Sequence, residues 1–214
     1  LLLTNGDALF AQCVVVAEGA SEQGAIPVFA RNMTDGFDLD EVGVTVIDGC
    51  GAEMMYPLYL LQQLNIPSTF AYDSTDPVHK HIAEKFGGFP TDLHKFEDEI
   101  LANIPIHLVL EALYEVNERR VTEMVRSLPK TGVLQGIETP ESLIACLKNV
   151  KNGQIHDLTR QIRTMLDKEK GYMTGRRIAQ KATKPEYVPA VYKRMLLDAR
   201  RKAKGELDAP DFSS

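Results

Sequence analysis

Three short apolar runs lie in the first third of the chain, and each stops at an acid. Residues 14–17 (VVVA) end at Glu18, residues 42–47 (VGVTVI) at Asp48 and residues 69–72 (TFAY) at Asp73. Short continuous apolar runs bounded by turn signals read as buried parallel strands. Helical spacing follows each run: over 21–32 with Ser21 as N-cap, over 53–64, and over 77–86 with Asp76 at its start. Gly19 gives the first strand-to-helix turn its freedom, and Pro67 suits a first strand position. A fourth strand is expected around 92–94, followed by Glu97, Asp98 and Glu99. Alternating strands and helices predict an α/β fold, a parallel sheet with helices on both faces.

Past residue 100 the pattern turns helical. Residues 106–128 keep one helical period, with Pro105 before it and Pro129 and Gly132 after it. Further helices are predicted over 140–149, opened by Thr139 and Pro140, and over 154–168, set off by Gly153. Another carries Arg176, Arg177 and Ile178, and a last one runs from Pro185 to about Lys202. The tail after Gly205 is acidic and expected to fray.

Charge changes this picture. The net charge of −6 is unevenly divided: residues 1–147 hold 8 Lys and Arg against 22 Asp and Glu, whereas residues 148–214 hold 16 against 8. An acidic site beside a basic surface suits a nucleic-acid-processing enzyme; ordinary solvated helix faces explain the split equally well. The 214 residues, 44% hydrophobic and 25% charged, form one large domain or one with an insertion. No apolar stretch is long enough to span a bilayer, and LLLTNGDALFAQ is not a signal peptide. A start without methionine suggests a fragment of a longer protein. Cys13, Cys50 and Cys146 match no zinc or disulfide pattern and suit a reducing cytoplasm.

The candidate chemistry lies at the strand ends, where open α/β sheets bind ligands. Glu18, Asp48, Asp73 and Glu97 are expected to converge there, with Glu22 and Asp76 in support. Oxygen ligands at that density suit magnesium or manganese. For Glu18 and Glu22 alone, a solvated helix N-terminus is the competing reading. Lys170, opening a helix, can point at an anion. His79 and His81 read more simply as a surface pair than as metal ligands. The tyrosines sit in no context that selects a nucleophile.

The stretches CVVVAEGASE, VTVIDGCG and STFAYDSTD resemble a TOPRIM domain, the metal-binding module of type IA topoisomerases, DnaG-type primases and certain nucleases. ALFAQCVVVAEGASEQGAIPVFA, DLDEVGVTVIDGCG and KGYMTGRRIA are most similar to overcoming-lysogenization-defect (OLD) family nucleases, themselves similar to Gabija-type phage-defence nucleases. The resemblance covers most of 8–101 and, more weakly, 165–203. It implies a TOPRIM core over 8–101 with 165–204, a helical domain over 102–164 and a tail over 205–214. It also implies a metal-dependent DNA endonuclease working with two Mg2+ or Mn2+ ions, with Ca2+ as an inactive substitute.

Residue by residue, Glu18 matches the TOPRIM glutamate and Glu22 the second acid. Asp73 matches the first acid of the D-x-D pair, Glu97 the later acid and Lys170 the lysine near the transition state; Asp48 has a weaker match. Here D-x-D is replaced by DSTD, so Thr75 stands where the second aspartate is expected and Asp76 follows one later. Arg176, Arg177, Lys181 and Lys184 are candidate DNA contacts. Family architecture implies an N-terminal ATPase outside this sequence, in which no Walker A pattern occurs, and a homo-oligomeric full-length protein. The rival reading is a non-catalytic metal-binding TOPRIM module for dimerisation or partner docking. A primase- or RecR-like module would need zinc-binding cysteines or a polymerase partner that the sequence does not show.

Overall fold

The computed structural model describes residues 6–150 and 155–206. In chain order, β1 (Cys13–Ala17) leads to α1 (Ala20–Asn32) and β2 (Val44–Asp48) to α2 (Met55–Gln63). Then β3 (Ser68–Thr69) and β4 (Ala71–Tyr72) lead to α3 (Pro77–Phe86), and β5 (Phe89–Pro90) to α4 (Phe96–Asn103). Helices α5 (Ile106–Val116), α6 (Glu118–Ser127), α7 (Pro140–Leu147), α8 (His156–Lys168), α9 (Tyr172–Lys181) and α10 (Ala190–Ala203) follow.

All strand pairings are parallel. β1 lies between β2 and β3, with Ala17 opposite Asp48 and Val15 opposite Thr69. Across Phe70 the chain passes from β3 to β4, which pairs with β5. The register therefore brings the carboxyl ends of β1 and β2 to one level.

β1 shows why its apolar run is continuous rather than alternating. Cys13, Val15 and Ala17 enter one buried cluster with Phe29 of α1, Ile178 of α9 and Tyr192 of α10. Val14 and Val16 enter a second with Met54, Leu58, Phe70 and Ile82, on the side of α2 and α3. With both faces covered, every residue of the strand is apolar. The middle helices share the first cluster, through Val109 and Leu113 of α5 and Ile162 of α8.

α1 and α9 pack backbone to backbone at two glycines. A Cβ on Gly24 would run into the Tyr172 carbonyl, and one on Gly175 into the Ser21 carbonyl. Ser21, inside the first turn of α1 whose N-cap is Gly19, accepts at Oγ from the Gly171 N–H at 2.9 Å, so the residue after Lys170 is tied to the start of α1.

Several expected elements moved. The fourth strand is Phe89–Pro90, not 92–94; a two-residue edge strand tolerates proline because its free side needs no N–H. The 106–128 helix breaks at Asn117, whose side chain accepts from the Arg120 N–H and caps α6. α2 starts at Met55 after a 3-10 turn at Gly51–Met54, and Pro185–Tyr187 forms a separate 3-10 turn before α10. α3 lies where the sequence put it. Gly153 and the tail from 207 fall outside the described residues.

Candidate metal centre and active site

Glu18 and Asp73 directly follow β1 and β4, and Asp48 ends β2. Together with Glu22, Glu97, Lys95 and Lys170 they line one cavity of ≈ 470 Å³. Asp76 is not among its lining residues.

Most of these carboxylates are held by their own turns. Asp48 Oδ1 accepts from the Cys50 N–H at 2.8 Å, in a loop where Cys50 is left-handed, with φ 58°. Gly49 and Gly51 donate to the Ala17 and Glu18 carbonyls, each at 2.7 Å, which clamps the β2 loop onto the end of β1. Asp73 Oδ1 accepts from both the N–H and the hydroxyl of Thr75, at 2.8 and 2.7 Å. Asp76 caps α3, its Oδ1 accepting from Val78 N at 2.7 Å and His79 N at 3.4 Å, with Pro77 in the first helical turn. Among the described residues, no three His, Cys, Asp or Glu side chains stand close enough together to hold a metal ion in this arrangement.

Glu22 does not lean freely over the strand end. It is 5% exposed. Its Oε2 accepts from the Glu18 N–H at 2.6 Å and the Gly19 N–H at 3.2 Å. Its Oε1 accepts from the Tyr192 hydroxyl of α10 at 2.6 Å. Glu22 thus links the first turn of α1 to the core, and to reach a cation it must release these donors. Burial, and then the Glu18 charge, push its carboxyl up to about 8. Glu18 is also held above the usual carboxylate range, by burial and by Asp73, against the opposing pull of His79.

Glu97, in the first turn of α4, is buried between two lysines. Lys170 Nζ lies 3.1 Å from Oε1 and Lys95 Nζ 3.7 Å from Oε2. Lys95 also donates to Asp167 of α8 at 2.5 Å. Lys95 was not among the residues the sequence singled out. The one signal for it is a cation two positions before Glu97.

His79 reverses the expectation of a surface histidine pair. His81 is exposed, but His79 is 3% exposed, with Nδ1 3.7 Å from Glu18 Oε2 and 3.8 Å from Asp76 Oδ2. The basic residues also divide. Lys181 pairs with Glu111 and Glu115 of α5 at 2.8 and 2.6 Å, which neutralises it, and Arg177 lies 3.9 Å from Glu115. Arg176 donates to the Tyr172 hydroxyl, and the Lys184 ammonium sits over the Tyr187 ring.

Residues 9–74 match the family described as Overcoming lysogenization defect protein-like, TOPRIM domain. Among solved structures, the chain is similar to the C-terminal region of the Xanthomonas campestris pv. campestris OLD protein, phased with mercury. The match has a TM-score of 0.62 at 20% identity and covers 93% of this chain and 99% of that one. The C-terminal region of the Burkholderia pseudomallei OLD protein is similar at TM-score 0.55 and 16% identity, covering 91% and 99%. At that coverage the middle helices are part of the likeness. No curated protein matches the chain. The two findings agree: residues 9–74 match an OLD-like TOPRIM domain, and the chain as a whole has the fold of an OLD protein's C-terminal region.

Proposed function

We propose that this chain is a divalent-metal-dependent DNA endonuclease, the catalytic part of an ATPase-nuclease. One observation carries the reading. Carboxylates at the ends of β1, β2 and β4 share a single cavity with Glu97 and two lysines. The donor set fits hard cations, because the acids are oxygen ligands and Glu18 is held above its ordinary range by burial and Asp73. A cation beside them removes that repulsion.

Glu18 and Asp73, with Asp48 beside them, would hold one Mg2+ or Mn2+ ion, and Glu97 a second. Glu22 joins only by giving up its core partners. Asp76 supports the site through α3 rather than as a ligand. Calcium would occupy the same oxygens without supporting cleavage. Bound ions would supply Lewis acidity to a phosphodiester and ease departure of the leaving oxygen. Lys170, more than half exposed and anchored by Glu97, stabilises the charge that develops on the phosphoryl oxygens. Lys95, fixed by Asp167, keeps a second positive charge on the same wall. Arg176 and Lys184, which have no carboxylate partner among the described residues, are the better DNA contacts; Arg177 contributes less and Lys181 least.

The domain division that goes with this reading is a catalytic core of 8–101 with 165–204, a helical domain of 102–164 packed on it, and a tail of 205–214. The partners are DNA, an N-terminal ATPase outside this sequence and further copies of the full-length protein, in the cytoplasm. Among the described residues, no helix is long and apolar enough to cross a membrane.

The rival is a non-catalytic metal-binding module. The observation that favours it is the DSTD turn, in which Asp73 and Asp76 both satisfy local N–H groups. A supercoiled plasmid separates the two. The nuclease nicks it with Mg2+ or Mn2+, stops with chelator and is silenced by Glu18→Gln. Metal binding without nicking, under every ion tried, establishes the rival.

A further inference from the structure

The mechanism above does not use His79, the most anomalous polar side chain near the site. Its side chain is 4% exposed, and among the described residues neither ring nitrogen has a hydrogen-bond partner. Buried polar groups are rarely left this way. Two carboxylates flank the same nitrogen: Glu18 Oε2 at 3.7 Å and Asp76 Oδ2 at 3.8 Å. Both lie just beyond hydrogen-bond range, so a small turn of either side chain closes the contact.

The backbone fixes the imidazole there. Asp76 caps α3 through Oδ1, accepting from Val78 and from His79's own N–H, and leaves Oδ2 facing the ring. The segment D-P-V-H thus folds so that the capping aspartate and the third helical residue meet side by side. Glu18 approaches from β1, the other side of the site. An imidazole N–H is a donor that can be buried here without carrying a permanent charge.

We propose that His79 is a positioning residue for Glu18: it shares its Nδ1–H between Glu18 and Asp76, and so holds the Glu18 carboxylate in place for a divalent ion. This rests on the metal-centre reading above. It also gives the DSTD departure a consequence. Asp76 need not replace the missing second aspartate as a ligand; it acts on Glu18 through His79. Outer partners of ligating carboxylates are worth about 10–100-fold in metal affinity.

The test is a Mn2+ titration by calorimetry on the full chain, beside urea unfolding of the metal-free protein. The variants are His79→Phe, His79→Gln and Glu18→Gln. The urea curve establishes that His79→Phe is folded, and its Mn2+ Kd is expected to rise at least about tenfold. His79→Gln, which retains an N–H donor, recovers part of that affinity. If His79→Phe does not fold, His79→Leu is read the same way. A purely structural histidine leaves the Kd of the folded variant unchanged, whatever its unfolding midpoint, and that overturns the proposal. So does wild-type affinity in His79→Phe when Glu18→Gln has lost binding. If the wild type binds no Mn2+, or Glu18→Gln binds it equally well, the metal centre itself fails, and this inference with it.

Discussion

Replacing Glu22 with glutamine removes a titratable proton from the core while leaving a side chain of the same shape. The amide oxygen can accept from the Glu18 and Gly19 N–H groups, and the amide nitrogen can donate to the Tyr192 oxygen. The native carboxyl is pushed from 4.5 to about 8, first by burial and then by Glu18. Above pH 4.5 the unfolded chain releases this proton, but the folded chain keeps it until about pH 8. The folded state therefore binds more protons across that window, and stability falls as pH rises through it. At about 1.4 kcal/mol per pKa unit, the loss reaches on the order of 3–5 kcal/mol between pH 7 and 8. Glu22→Gln lacks this loss. In chelator-treated protein, urea titrations should give the two chains similar stability near pH 4.5, and the variant should gain progressively toward pH 8. A difference that stays flat between pH 5 and 8 refutes the buried, proton-holding Glu22. Glu22→Ala loses the caps as well and should lie below Glu22→Gln at every pH, by about 0.5–2 kcal/mol for the cap alone.

Three further outcomes follow from the same geometry. Lys170→Met should slow single-turnover nicking by about a hundredfold or more while leaving DNA affinity nearly unchanged, because its charge meets one that develops only in the transition state; normal cutting at saturating DNA makes it an ordinary phosphate contact. Arg176→Ala should weaken DNA binding and lower the salt slope by about one unit, whereas Lys181→Ala, already neutralised by Glu111 and Glu115, should change the slope little; anisotropy across a salt series checks both. Gly175→Ala should destabilise the fold by about 1–3 kcal/mol in urea unfolding, because α9 must move off α1 at the Ser21 carbonyl, and wild-type stability would show that the helices are not in backbone contact.

What the sequence made legible is what local chemistry determines. The strand–turn–helix at Glu18 followed from an apolar run meeting an acid and a glycine. α3 was placed correctly because Asp76 and Pro77 are a cap and a first-turn proline. The break at Asn117 stayed hidden because the apolar period runs on through it, and its fixed geometry depends on Glu169, 52 residues away. The strand at Phe89–Pro90 is too short for any periodicity. At the site, the acids at strand ends were readable, but the direction of each side chain was not. Glu22 faces inward because Tyr192, 170 residues later, presents a hydroxyl to it. Lys181 looks like a DNA contact until α5 brings two glutamates beside it. His79 looks like a surface residue because no local pattern reveals that Glu18 lies opposite it.

The central claim is that the strand-end carboxylates hold divalent ions. Anomalous scattering from a crystal of this chain soaked in Mn2+ tests it most directly. The account predicts manganese peaks in the cavity within about 2.5 Å of Glu18 and Asp73 oxygens, one of them lost in Glu18→Gln. A fully soaked crystal with no manganese in that cavity, or with peaks only elsewhere on the molecule, contradicts it.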